Sequence, residues 1–282
     1  MQTWLGLWEH AVTGIRWPSA NLLQDWTPPP QGSVCAVMWP TRRLQSRERW
    51  FDELYAWTEG FEARTMQRAF IQHYMLKAAL GVLERESLDR IAVTLSFGTV
   101  ERLLDALTEL FESHTFVMHR MAVILRGQVE RLRSPYRVKG FVDWLRAHGV
   151  AVGYRISAPR ISMEMAAIDL LRPDFLKVAV PPSRRLEYWQ DMVVEARMSG
   201  IESQHIIMAG IEDKTQRQLA MQSGFGFGQG SAIKPAFDPP IRLSPWVHPR
   251  PRDTATLGGH AGIFGDLGGE ITRPDLQFPF AL

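Results

Sequence analysis

The chain has 282 residues, 45% hydrophobic and 22% charged, with a formal net charge of +2. That length supports one large domain or two small ones, and so small a net charge argues against general attraction to nucleic acid or membrane surfaces. The single cysteine, Cys35, excludes an intrachain disulfide and suits a reducing compartment.

No apolar run approaches the roughly 20 residues needed to span a bilayer. The first ten residues, Met1 to His10, lack a basic stretch and are interrupted by Glu9, which makes a poor signal peptide. A cytoplasmic protein without membrane insertion is expected.

Composition divides the chain into three zones. Residues 1–33 are rich in Trp and Pro and end in the turn signal Pro28-Pro29-Pro30-Gln31-Gly32. Residues 34–235 alternate short apolar runs with amphipathic patterns, and 236–282 are rich in Pro and Gly with little periodicity. In the middle zone Val34 to Trp39 is a compact apolar run. Residues 47–85 are predicted helical, from Trp50, Phe51, Leu54 and Tyr55 through Phe70, Ile71, Tyr74, Met75, Ala78 and Leu83. Strands are predicted over Ile91–Leu95, Ala122–Leu125, Val150–Ile156, Leu176–Val180, Ile206–Met208 and Phe225–Gly228. Helices are predicted between them: from Thr99 with Leu103, Leu107 and Phe111 on one face, then over Arg137–Ala147, Met163–Leu171, Arg184–Met198 and Lys214–Met221. Strands alternating with helices imply an α/β fold with parallel strands and crossover helices. Seven or eight units suggest a barrel, although a doubly wound sheet also fits the pattern.

The runs Gly149 to Ala158, Phe175-Leu176-Lys177-Val178-Ala179, Ile206 to Glu212, and Gln229-Gly230 followed by Lys234-Pro235 resemble, in order and spacing, the EAL domain of bacterial cyclic-di-GMP phosphodiesterases. The resemblance implies a modified TIM-type (β/α)8 barrel over 22–235, an amino-terminal extension over 1–21 and a carboxy-terminal extension over 236–282. Chemistry in such barrels sits at the carboxyl ends of the strands.

Carried over by resemblance, most metal-ligand positions hold other residues. Cys35 stands where the glutamate of the signature belongs, and Trp39 where an arginine contacts the ligand phosphate. Thr94 of Thr94-Leu95-Ser96 replaces an asparagine, and Leu125 replaces a carboxylate. Arg155 and Ile156 replace paired aspartates, Ala179 another aspartate and Ala209 a glutamate. The vestiges of the family pattern are Lys177, Glu212 and Gln229. Lys177 and Glu212 would form a working pair or a supporting ion pair.

Magnesium or manganese requires several oxygen ligands, and two such ions activate water and stabilise the displaced phosphodiester oxygens. The replacing side chains supply almost no anionic oxygen. Arg155 would also set a cation beside the dication, at a cost on the order of 4 kcal/mol at 4 Å. No catalytic residue, metal or cofactor is therefore expected.

Other chemistries find little support. Cys35 has no histidine in its segment to activate it, and His119 and His205 precede strands as loop residues. The glycine-rich run from Gly224 to Gly230 lacks the lysine that ends a phosphate loop.

The expected function is that of a catalytically inactive EAL-like protein in bacterial regulation or targeting, working through contact with another protein and neither hydrolysing nor binding cyclic-di-GMP. The resemblance also allows a homodimer. The apolar cluster Trp4, Leu5, Leu7 and Trp8 either packs on the barrel or docks a partner, and Trp246, Phe264 and Phe278 favour docking of the carboxy-terminal extension. An alternative is a non-hydrolysing sensor of cyclic-di-GMP or another anionic nucleotide, held by Arg155, Lys177 and Arg126 at the barrel mouth.

Overall fold

A computed structural model describes residues 33–59, 65–86, 88–157, 160–237 and 247–249. The expectations for Trp4 to Trp8, Trp246, Phe264 and Phe278, and for the division at residue 21, lie outside the described residues.

The chain opens with an antiparallel hairpin, β1 (Ser33–Arg43) and β2 (Arg49–Glu59). Then follow α1 (Thr65–Arg85), β3 (Ile91–Ser96), α2 (Phe97–Glu112), β4 (Met121–Arg126) and α3 (Pro135–Ala147). The order continues with β5 (Ala151–Arg155), α4 (Met165–Leu171), β6 (Phe175–Ala179), α5 (Leu186–Met198), β7 (Ile206–Ala209), α6 (Lys214–Ser223) and β8 (Phe227–Gln229). Strands β2 to β8 run parallel, and β1 closes the sheet by pairing antiparallel to both β2 and β8. The result is a closed eight-stranded mixed barrel. A short ninth strand, β9 (Val247–Pro249), lies parallel to β1 on its β8 side.

The predicted helix over 47–85 is corrected: its first part is strand β2, and the helix begins only at Thr65. Trp50, Phe51, Leu54 and Tyr55 satisfy helical spacing, but Phe51 and Leu54 fall into different core layers, as period-two alternation requires. The hairpin turn hides its own signal. Arg47 takes the left-handed position at φ 61, where glycine or asparagine would advertise a turn.

Two cores follow from strand alternation. Leu54, Val93, Leu95, Leu125, Val152, Tyr154, Leu176 and Met208 face outward and pack in a layer with Leu76 and Leu80 of α1, Val100 and Leu107 of α2 and Trp189 of α5. The inner face carries Phe51, Ala92, Ala122, Ile124, Phe175, Ile207 and Phe227, with Trp50 packed against them. Trp50 stacks on Phe227 at 4.1 Å between ring centroids and meets Phe175 edge-on at 4.9 Å. Gly153 exists for this plug, since a Cβ there would lie 2.2 Å from the Phe175 ring.

Caps place the helices that follow the mouth. Ser96 ends β3 and caps α2, its hydroxyl accepting from Thr99 N at 3.1 Å. Gln72 of α1 braces the same corner, its Oε1 accepting from Ser96 N at 2.8 Å and Thr99 Oγ1 at 2.6 Å. Asp213 and Gln216 form a capping box at the start of α6, and Gly224, with φ 87, ends that helix.

Candidate functional site at the barrel mouth

Above the aromatic plug, the inward positions become polar. Glu53 follows Phe51 by one strand period on β2, and Lys177 follows Phe175 on β6. Their side chains meet as an ion pair deep in the barrel. Glu53 also accepts from Thr94 Oγ1 at 2.8 Å and from Gln229 Nε2 at 3.0 Å. That Gln229 amide reaches Thr41 Oγ1 at 3.2 Å and the Trp39 carbonyl at 3.3 Å. Strands β2, β3, β6 and β8 thus meet at one carboxylate, and β1 joins them through Gln229.

Strand register brings two further cations alongside. Arg126 of β4 is level with Arg155 of β5, and Arg155 is level with Lys177 of β6. Arg126 and Arg155 line a narrow cavity with Thr94, Tyr55 and Gln72, between the upper ends of β2 and β3 and helix α1.

The electrostatics follow from burial and charge. Burial alone would raise the Glu53 pKa, but attraction to Lys177 and the three hydrogen bonds outweigh it, so the carboxyl sits below its ordinary value. Burial lowers Lys177, and the Arg155 and Arg126 charges add to that against the pull of Glu53. Burial, followed by repulsion from Arg155, brings Arg126 down to about 10.

The structure redistributes the expected site residues. Thr94, Lys177 and Gln229 join one network, and Arg155 and Arg126 flank it. Lys177 takes Glu53 as its carboxylate partner in place of the expected Glu212, which lies exposed in the loop after β7. Cys35 lies on the antiparallel strand opposite Trp57, beyond Leu54, the last β2 residue paired to β3. The ring around Lys177 carries Glu53 in place of Cys35. Leu125 and Ile156 pack in the outer core, so Ile124 and the aromatic cluster form the apolar floor. Ala179 ends β6 exposed, and Ala209 ends β7 buried beside it in register.

Glu53 escaped sequence reading because its segment looked helical. Hydrophobic alternation gives no signal for it, because Phe51-Asp52-Glu53-Leu54-Tyr55-Ala56 puts one acidic residue among apolar ones on each face. Among the described residues, no three or more His, Cys, Asp or Glu side chains come together as a metal site.

No family model matches the chain, and no curated protein matches it. Solved structures do. Bacillus subtilis YkuI, with an EAL domain and in complex with c-di-GMP and calcium, aligns at TM-score 0.58 and 16% identity, over 74% of this chain and 56% of that one. The PaMucR phosphodiesterase in complex with c-di-GMP aligns at TM-score 0.55 and 15% identity, over 73% of this chain and 97% of that one. The fold is that of an EAL domain. An EAL-domain protein from Listeria monocytogenes is similar at TM-score 0.57 and 12% identity, over 73% and 89% of the two chains. Identities this low carry the fold alone, so the EAL comparison locates the mouth and leaves its chemistry to the residues found there. Among the described residues, no helix is long and apolar enough to cross a membrane.

Proposed function

We propose that this EAL-fold protein does not hydrolyse cyclic-di-GMP and acts in bacterial cytoplasmic regulation by contact with another protein. The observation that carries the reading is the engagement of Glu53: its oxygens are held by Lys177, Thr94 and Gln229. On our reading Glu53 is the counterpart of the signature glutamate, because β2 is the first strand after the amino-terminal strand of the barrel. The calcium in the YkuI complex prompts the question whether these side chains suit a divalent cation. They do not suit one: one hydrogen-bonded carboxylate beside Lys177, Arg126 and Arg155 offers too few anionic oxygens and too many cations. Residues on the outer helices, such as Val194 and Met198 of α5, leave large apolar side chains exposed, as a contact surface would.

The deciding experiment incubates the purified chain with cyclic-di-GMP and either magnesium or manganese. No turnover above buffer is expected, and metal-dependent product formation abolished by Glu53→Gln would overturn the reading. A co-purifying protein should be lost on substitution of its contact surface and retained in Lys177→Ala.

The placement of Arg126 and Arg155 along one cavity favours a second reading, an anionic nucleotide held without cleavage. Calorimetry with cyclic-di-GMP would then show saturable heat, weakened in Arg155→Ala. The absence of heat at high ligand concentration rejects it.

A further inference from the structure

The outer edge of β1 is closed by three separate pieces of chain. Its carboxyl half, Thr41–Arg43, pairs with β8. Met38 then exchanges two backbone hydrogen bonds with Phe237, at 2.8 and 3.1 Å. Its amino half, Val34–Ala36, pairs with Val247–Pro249 in parallel register. The last two pieces come from beyond the barrel's final strand. They cover β1 from Met38, level with Leu54 where β2 stops pairing with β3, up to Val34.

An unpaired strand edge is a template for another chain, and proteins blunt such edges with short strands and prolines. Strand β9 has both devices. It is three residues long and ends in Pro249, which carries no N–H, and the bond from His248 to Pro249 favours extended backbone before it. Pro245 and Pro251 flank it in the sequence.

We infer that Val247–Pro249, anchored through Phe237, is an edge guard: it occupies a strand-accepting surface on β1 and replaces it with an edge that cannot be extended. The surface it covers fits an extended segment running parallel to Val34–Ala36. The inference is independent of whatever occupies the mouth.

Cys35, the chain's one cysteine, reports on this arrangement because it is buried and lies level with His248. Neighbouring strands lie about 4.8 Å apart, inside the Cα range of a disulfide. In full-length His248→Cys, mild oxidation or a short bis-thiol reagent should link residues 35 and 248 within one chain. No link, or a link between chains, would overturn the guard. Full-length Val247→Pro should alkylate at Cys35 at least about tenfold faster than the parent and self-associate as concentration rises. An unchanged rate and an unchanged mass by light scattering would also overturn it. Should Val247→Pro lose its circular dichroism, the bridging result on His248→Cys decides alone.

Discussion

Lys177 and Glu53, 124 residues apart in sequence, form an ion pair inside the barrel with side chains 2% and 3% exposed. A pair so enclosed stands or falls as a unit, because either member alone is a charge without water. Lys177→Met or Glu53→Leu should each cost about 3–5 kcal/mol. The double variant Glu53→Leu with Lys177→Met should recover most of that loss, and chemical denaturation of the four proteins closes the cycle. Additive losses in the double variant would show that the pair is not coupled.

The same pair sets the acid response. Glu53 is held below its ordinary value of 4.5 in the folded protein. Its stabilising contribution is therefore complete above pH 4.5 and disappears as pH falls through the folded value. Urea midpoints measured downward from pH 6 should fall more steeply for the parent than for Glu53→Leu with Lys177→Met. Parallel curves would remove Glu53 as the cause.

Gly153 is a packing requirement. A methyl there would press on the Phe175 ring at 2.2 Å, and overpacking of this kind costs about 1–3 kcal/mol. Thermal melts should show Gly153→Ala destabilised, with partial rescue by Phe175→Leu. Equal destabilisation with and without the second change would mean that the clash is relieved elsewhere.

Metal addition supplies a test without turnover. Saturation at a hundred times the dissociation constant would stabilise the fold by about 2.7 kcal/mol. Millimolar manganese or magnesium should leave the melting temperature where it was. An upward shift that vanishes in Glu53→Gln would assign a cation to the mouth after all.

The strands from β3 to β8 were legible because each is an apolar run flanked by a patterned helix. The barrel mouth was less so. Strand β4 is buried at every position from Met121 to Arg126, so hydrophobicity carries no inside–outside signal there, as in parallel strands covered on both faces. Leu125 was consequently placed at the mouth, while Arg126 was available only as part of a cationic alternative. The hairpin was missed because Arg47 occupies the turn position that normally identifies itself by glycine or asparagine. With β2 read as helix, Glu53 stays outside the candidate site, although its carboxylate is the partner of Lys177. Lys177 and Gln229 were found through short local motifs whose register does not depend on the hairpin.

Among the described residues, the aromatic plug of Trp50, Phe175 and Phe227 fills the barrel beneath Glu53 and Lys177. Tyr55, Arg126 and Arg155 line the narrow cavity between the upper ends of β2 and β3 and helix α1, so the polar lining belongs to the threshold, while the depths beneath it are closed by packed rings.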